Sequence, residues 1–335
     1  MSARSPGGDA DLAPRESLLA RIRRGLLKGA DLALAGLALL FAISFVLAPS
    51  SVNMAALLTM LPFAAILGVA SIGQQLVIQQ RGLDLSVAGS ISLVCVIATY
   101  RLPGSASALD VAARLVLAVA AATGVGILNG ALIVRLRIPS LVTTIGTNAI
   151  LMGFVLWASA GTPGNAPDLL DHYALNRTVG VPNTVIAAII ITAVTALVLG
   201  KTIPGRRFVL AGTNPIAARA AGIRTERYEA GAYAVAGFYY AIAGILLAGL
   251  LKVPSLTVGQ TYLLASVASV VVGGNSIVGG RASAIATLIG ALFMTQLGQM
   301  LIAAGLDRSA QYLLQGAIVI AGASVHLLAP RLAPA

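Results

Sequence analysis

Few side chains in this sequence are able to do covalent or acid–base chemistry. Its 335 residues include 11 Asp+Glu, 2 His and 1 Cys. His172 and His326 lie far apart and have no partner motif, so each reads as a loop or helix-end residue rather than a ligand. Cys95 lies in an apolar run, which leaves no disulfide framework or cysteine-based metal site. The run Gly274-Asn275-Ser276-Ile277-Val278-Gly279-Gly280-Arg281 is a faint likeness of a phosphate-binding loop. It lacks the Lys-[Ser/Thr] that reaches phosphate and Mg²⁺, and no strand precedes it. Paired His, Glu or Asp on facing helices, which an intramembrane protease or transferase needs, do not occur. No catalytic set, metal site or cofactor is expected.

What the apolar runs do carry is neutral hydrogen-bonding groups: Gln74, Gln75, Asn129, Thr143, Thr147, Asn148, Thr295, Gln296 and Gln299. Such groups suit a hydroxylated, uncharged solute held weakly along a path. Taken singly, most are equally explained as polar residues joining helices. Asn129, Thr147 and Asn148 are the candidates for lining a path. Asp84 has two readings. A carboxylate at mid-bilayer costs roughly 2.5–3.5 kcal/mol on insertion scales. At the start of a helix, three residues after Arg81, it is favoured by the positive end of the helix dipole. Alternatively it is a gate or coupling residue on the inner half of the path.

The elements that must position these residues are membrane helices. Hydrophobic residues make up 58% of the chain and charged ones 10%, with mean hydropathy +0.93. A soluble domain is closer to half apolar and a quarter charged. The 36 glycines agree, because small residues let membrane helices approach closely. The net charge of +11 reads as basic loops on the cytoplasmic side of a membrane. Nucleic acid is not an expected partner: no basic stretch is interleaved with stacking aromatics, and Trp157 is the only tryptophan.

Residues 1–30 are polar and basic (Arg15, Arg21, Arg23, Arg24, Lys28) and read as a cytosolic tail. The apolar run at about 31–48 has no A-x-A-type cleavage site after it and reads as a first span, not a signal peptide. Further apolar segments fall at roughly 55–79, 84–100, 112–134, 141–160, 183–200, 229–251, 261–273, 283–304 and 310–328. Most match the ~20 residues that cross a hydrocarbon core. The segment 84–100 opens with Asp84, and 261–273 is short and ends in Gly273-Gly274, so each is a candidate half-helix that enters and returns. The fold expected is all-α and polytopic, with about ten transmembrane or re-entrant helices in one domain over 31–328. Both termini would be cytosolic, with 329–335 as a second tail. Under that topology only Arg101, Arg114, Arg177, Lys252 and Arg308 of the 22 Lys+Arg fall outside, as the positive-inside rule requires. Residues 161–182 form an outer loop and 201–228 the main cytosolic one.

In the cytosolic loop Asn214 can cap a helix, Pro215 suits its first turn, and Gly222 can end it in a left-handed cap. Ala217-Ala218-x-x-x-Gly222 resembles the A-A-x-x-x-G core of the loop by which ATP-binding-cassette (ABC) importer permeases engage their ATPase. Within Gly212-x-Asn214 and Gly222-Ile223 it is similar to the monosaccharide branch, the ribose, xylose, arabinose and galactose class. Three segments extend the resemblance. Gly82-Leu83-Asp84-Leu85-Ser86-Val87 resembles G-[IL]-D-L-S-V. Asn129-Gly130-x-Leu132-Ile133 with Pro139-Ser140-Leu141-Val142-Thr143-Thr144-Ile145-Gly146-Thr147 resembles N-G-x-L-I and P-x-F-I-x-T-L-G. Gly273-Gly274-Asn275-Ser276-Ile277-Val278-Gly279-Gly280 resembles G-G-x-S-x-x-G-G. The match runs in family order from about residue 50 to 325. Two positions depart from it: Tyr262-Leu263-Leu264-Ala265-Ser266 has no acid where relatives often read Y-E-L-D-A, and Met152-Gly153 stands where many have Arg-Gly.

The resemblance implies the permease subunit of an ATP-driven importer for a monosaccharide or related polyol. Asn214, Pro215, Ala217, Ala218, Arg219 and Gly222 would form the ATPase dock, and Gly82, Asp84 and Ser86 a motif near the cytosolic gate. Gly273, Gly274, Gly279 and Gly280 would form a glycine-rich loop. It implies as partners two cytosolic ABC ATPase domains, an extracytoplasmic solute-binding protein and a second permease subunit, in a bacterial inner membrane and its lipid. The chain itself would be no ATPase. The alternatives are a permease of the same superfamily for branched-chain amino acids or nucleosides, and an ion-coupled secondary transporter, for which Asp84 is a poor coupling site.

Overall fold

The computed structural model describes residues 30–332; of the tails expected at 1–30 and 329–335, residues 1–29 and 333–335 lie outside them, while Ala30 opens the first helix and 329–332 continue the last. The described chain forms thirteen α-helices. They are α1 (Ala30–Leu47), α2 (Met54–Gln79), α3 (Val87–Thr99), α4 (Ala108–Leu136), α5 (Ser140–Ala158), α6 (Asp168–Leu175) and α7 (Asn183–Lys201). There follow α8 (Ile203–Thr213), α9 (Pro215–Ala220), α10 (Thr225–Leu251), α11 (Gln260–Val272), α12 (Ala284–Ala303) and α13 (Arg308–Leu332). A 3₁₀ turn at Pro49–Val52 links α1 to α2, and a hairpin of β1 (Arg177–Thr178) and β2 (Val181–Pro182) links α6 to α7.

Each of the ten apolar segments of the sequence is a helix: α1–α5, α7 and α10–α13. Seven of them, α1, α2, α4, α5, α7, α10 and α12, are long and apolar enough to cross a membrane. Helices α3 and α11, the two segments expected to be half-helices, have 13 residues each. At 1.5 Å per residue they extend about 20 Å, short of a hydrocarbon core of about 30 Å. Two stretches read as loops hold further helices. In the outer loop α6 starts behind Pro167 with Asp168 and Asp171 in its first turn. In the cytosolic loop Thr202 Oγ1 accepts from Gly205 N (3.1 Å) and Pro204 sits in the first turn, which starts α8.

Helices α2 and α10 form the centre. In each, 61% of the most apolar stretch is buried, against 22% for α1, α4 and α7. Backbones come close through small residues: a Cβ at Gly126 or Gly130 on α4 would strike the α10 backbone at Tyr233 or Ala230. The order long helix, 13-residue helix, two long helices occurs twice, in α2–α5 and in α10–α13. The two runs are antiparallel: α2 ends beside Arg81 whereas α10 begins at that end and finishes at Lys252. The amino-terminal parts of α3 and α11 meet inside the bundle, where Gly259 N donates to Ser92 Oγ (3.1 Å) and a Cβ on Gly259 would strike the Ala88 carbonyl. This is an inverted repeat with broken helices, an architecture that brings irregular backbone to the middle of a protein-lined interior.

Candidate functional site

The sequence-predicted residues gather around the turn 80–86, between α2 and α3. Gly82 packs tightly there: a Cβ would run into the Tyr233 hydroxyl of α10, and that side chain would have to shift. Asp84 is buried, with 1% of its surface exposed. Its Oδ1 accepts from Ser86 N (2.9 Å) and Ser86 Oγ (2.5 Å), while Oδ2 has no partner. These bonds form an Asx turn that holds Ser86, the residue just ahead of α3, in place. Ser86 Oγ accepts from Asn129 Nδ2 (2.9 Å), and Asn129 Oδ1 accepts from Thr147 Oγ1 (2.7 Å). Asn148 Oδ1 accepts from Gly89 N (2.7 Å). On the other side Gln74, with its amide turned to satisfy all its neighbours, donates to Tyr240 Oη (2.9 Å) and the Asp84 carbonyl (2.9 Å) and accepts from Asp84 N (3.2 Å).

One connected network therefore joins α2, the turn, α3, α4, α5 and α10, and it holds Asp84, Ser86, Asn129 and Thr147. At about 1 kcal/mol net per bond the polar network is a modest stabiliser. Leaving any of its buried groups unpaired is more expensive, about 1–3 kcal/mol each, so the network fixes the turn in one arrangement.

Arg81 makes no pair with Asp84. Its backbone is left-handed (φ 68°), and its guanidinium reaches across to α8, donating from Nε to the Gly212 carbonyl (3.1 Å) and from Nη2 to the Thr213 carbonyl (3.0 Å). Gln80 Nε2 donates to the Phe208 carbonyl (2.8 Å). The two Arg81 bonds satisfy terminal carbonyls of α8, which a helix end leaves without partners, and the Gln80 bond adds a contact further up the helix. Gly212 packs so closely that a Cβ would strike the Gln79 carbonyl. The glycine-rich loop closes the other side: Gly280 N donates to the Gln79 carbonyl (3.1 Å), and a Cβ on Gly279 would meet the Arg81 side chain. Three separate sequence motifs thus converge on the carboxyl end of α2.

Beyond this clamp lies α9. Asn214 Oδ1 accepts from Ala217 N (3.0 Å), and Pro215 opens the helix. At its far end Ile223 N donates to the Ala218 carbonyl (2.9 Å) and Gly222 N to the Arg219 carbonyl (2.9 Å), with Gly222 at φ 77°. That pair of bonds with a left-handed glycine is a Schellman cap. Ala218 is wholly buried, whereas Ile216, Ala217, Arg219 and Gly222 are exposed. A Cβ on Gly222 would meet nothing within 4 Å.

A second buried network escaped the sequence reading. Asn275 Nδ2 donates to Thr287 Oγ1 (2.9 Å) and to the Val270 carbonyl (3.1 Å), and its Oδ1 accepts from Ser283 N (2.7 Å). Thr287 Oγ1 in turn donates to Gln75 Oε1 (2.7 Å). Asn275 therefore braces the loop that Gly273 and Gly274 begin. Its signal was an amide inside a glycine-rich run, the residue type that substitutes for backbone partners in turns. Among the described residues no group of His, Cys, Asp and Glu is arranged to hold a metal. The site offers neutral donors and acceptors, a lone carboxylate and a mechanical linkage between elements.

Comparison with known proteins agrees with this architecture. The family described as branched-chain amino acid transport system / permease component matches residues 53–323. The autoinducer 2 import system permease protein LsrC of Enterobacter sp. (strain 638) is 32% identical over 284 residues, covering 83% of this chain and 80% of that one. The ribose import permease protein RbsC of Escherichia coli (strain K12) is 28% identical over 294 residues, covering 86% of this chain and 90% of that one. No solved structure matches the chain. With a family match from residue 53 to 323 that contains six of the seven membrane-length helices, the chain belongs to this family of permease components and is a multi-pass protein of the inner membrane.

Proposed function

We propose that this chain is the transmembrane permease subunit of an ATP-driven sugar importer, moving a monosaccharide or related polyol by alternating access. Its similarity to autoinducer 2 and ribose import permeases supports the substrate class. The observation that carries the mechanism is the Arg81 clamp. Force applied to α9 by an ATPase passes through α8 and the Gly212 and Thr213 carbonyls to the turn that carries Asp84. From there it reaches α3, α4 and α5 through Ser86, Asn129 and Thr147.

The end of the bundle with Arg81, Arg137, Arg207, Arg219 and Arg281 faces the cytosol in this reading, and the end with Arg101, Arg177 and Lys252 faces out. Two cytosolic ABC ATPase domains dock on α9, each permease pairs with a second permease subunit in the lipid, and an extracytoplasmic binding protein delivers solute at the outer end. ATP hydrolysis belongs to the partner. Asp84 acts as a gate residue in the sense that its turn, held rigid by the network, passes the displacement of α8 on to the helices packed against it.

The test is a mild-detergent pull-down of the tagged chain from its native host, followed by uptake and ATPase assays on the purified assembly. Recovery of an ATPase with cassette motifs, lost with Gly222→Trp while the protein stays folded, supports the dock. Unchanged transport in that variant sinks it. Transport without ATP by the isolated chain in proteoliposomes would replace the importer with a secondary carrier. The family description also names branched-chain amino acids; uptake of leucine but of no sugar would favour that second reading.

A further inference from the structure

We propose that Arg137 and Glu226 form an ionic latch: they face each other across a cleft at the Arg81 end, and its closure gives the force on α9 a second route to the gate turn. The inference rests on the importer reading above and adds the residues of that route. A cleft of about 430 Å³ opens there. The end of α4 and its link to α5 line one side, and α9 with the first turns of α10 the other. Five charged side chains stand in its lining: Arg81, Arg137 and Arg219, with Glu226 and Glu229. Cations and carboxylates on opposite walls would pair if the walls met. In this structure they do not: among the described residues the one ion pair joins Lys252 to Asp171, at the other end of the bundle. Arg137, Arg219 and Glu226 are exposed, so the cleft stands open.

The packing above the cleft selects the pair. A Cβ at Gly126 would strike the Tyr233 carbonyl, one at Gly130 the Ala230 carbonyl, and one at Gly237 the Ala122 carbonyl. Helices α4 and α10 are thus antiparallel and in backbone contact, and the facing positions set Glu226 level with Val134. Arg137 stands three residues further on, about 4.5 Å along the axis, within reach of Glu226 once the walls approach. Glu229 is level with Ala131, about 9 Å from Arg137 along the axis, and half-buried beside the Gly130 contact. Glu226 is therefore the latch carboxylate. The glycine contact serves as a fulcrum, and the hinge is the link after α4, where Arg137 takes φ 56° and Ile138 alone separates it from Pro139. Both sides of the latch are tied to elements of the coupling chain. Arg219 Nη1 on α9 donates to Thr225 Oγ1 (3.4 Å), next to Glu226. Beyond Arg137, Ser140 Oγ accepts from Leu83 N (3.4 Å) and Thr144 Oγ1 donates to the Leu83 carbonyl (3.3 Å), inside the gate turn. A pair formed between closing walls is screened less than one on open surface. Its making and breaking carries force from α9 to α5 without passing through Arg81.

The experiment uses the full assembly of this chain with its ATPase and binding protein in proteoliposomes, and reads solute uptake per ATP hydrolysed. Arg137→Glu and Glu226→Arg, made singly, set like charges across the cleft and should each lower that ratio about fivefold. Made together they restore the pair with its signs exchanged, and the ratio should return to within about twofold of the wild type. Co-purification of the ATPase with every variant is the folding control. As a direct probe, Arg137→Cys is combined with Glu226→Cys and disulfide formation is followed under copper phenanthroline, Cys95 being buried and silent. The cross-link should form severalfold faster with ATP and vanadate than without nucleotide, a readout that holds even where a charge reversal fails to fold. A cross-linking rate that nucleotide does not raise, or a double reversal no better than the worse single one, would overturn the latch and leave the importer standing. Transport by the isolated chain without ATP would overturn the importer and the latch together.

Discussion

Helix α2 runs into the turn 80–86 and then the 13-residue α3, while α10, pointing the other way, runs into the turn 252–259 and the 13-residue α11. Both turns begin with a cation at positive φ, Arg81 at φ 68° and Lys252 at φ 57°. From that shared start they diverge. The first turn is sealed: Asp84 and Ser86 are 1% exposed and tied into a network that reaches five helices. The second is open, with Ser255, Thr257, Val258 and Gln260 lining a cavity at the Lys252 end. The two cations differ accordingly. Arg81 is locked onto two α8 carbonyls, whereas Lys252 pairs with Asp171 (2.8 Å) with 61% of its side chain exposed. An inverted repeat gives two geometrically related turns, and the side chains decide that one is sealed into the bundle and the other lines an open cavity.

The largest expected difference between them comes from removing the acceptor in the sealed turn. Asp84→Leu leaves the Ser86 N–H and the Ser86 hydroxyl proton buried without an acceptor, at about 1–3 kcal/mol each. The folded fraction in size-exclusion profiles should fall sharply. Thr257→Val in the open turn should leave it unchanged, since the exposed threonine makes no such bond. Equal losses in both variants would mean that the sealed turn is no more constrained than the open one.

Next in size is Arg81→Gly, which keeps the left-handed backbone comfortable and deletes only the clamp. Two charge-assisted bonds to carbonyls are lost, so α8 and α9 should detach mechanically from α2. The expected outcome is an assembly whose ATPase activity persists while uptake drops at least about tenfold. Proportional losses of ATPase activity and uptake would show that Arg81 supports the fold rather than the coupling. A smaller effect is expected from Asn275→Leu, which removes three bonds from the loop that packs on Arg81 but leaves the clamp itself. Its melting temperature should fall while uptake per ATP hydrolysed stays near that of the wild type.

How much of this was legible in advance depended on distance along the chain. The ten helical segments came from hydropathy, and the two half-helices from Asp84 at one start and Gly273-Gly274 at one end. Asn214 and Gly222 were readable as caps because a cap acts within four residues. Helix α8 was readable and missed, since Thr202 and Pro204 form a start signal. The Arg81 clamp was not readable: the guanidinium and the carbonyls it meets are separated by 131 and 132 residues, and carbonyls have no sequence signature. The candidate path residues were recognised by polarity alone. Polarity does not distinguish Asn129, whose hydrogen bonds join helices, from Gln315, whose oxygen has no partner. The cavity is assembled from elements over 200 residues apart, so no local pattern marks it.

The smallest effect is expected from Lys252→Gly, the counterpart of Arg81→Gly in the open turn. Two terms of opposite sign act there. Glycine relieves the positive-φ backbone at φ 57°, which favours the variant. The ion pair with Asp171 is lost, which disfavours it; the lysine end is 61% exposed and screened while the carboxylate end is only 16% exposed, so the loss is reduced by solvent but not abolished. The melting temperature should move by no more than about 2 °C either way. The hydrogen bond from Lys252 to Asp171 raises the lysine pKa above its ordinary 10.5. A group whose pKa is raised on folding stabilises fully below its unfolded value and loses that contribution as pH rises through the folded one. The difference between wild type and variant should therefore be flat across neutral pH and change only on the alkaline side of 10.5. A fall in melting temperature as large as that of Arg81→Gly would mean that the two turns carry load alike. In that case the open turn, too, would have to be counted among the parts that pass displacement on to the helices.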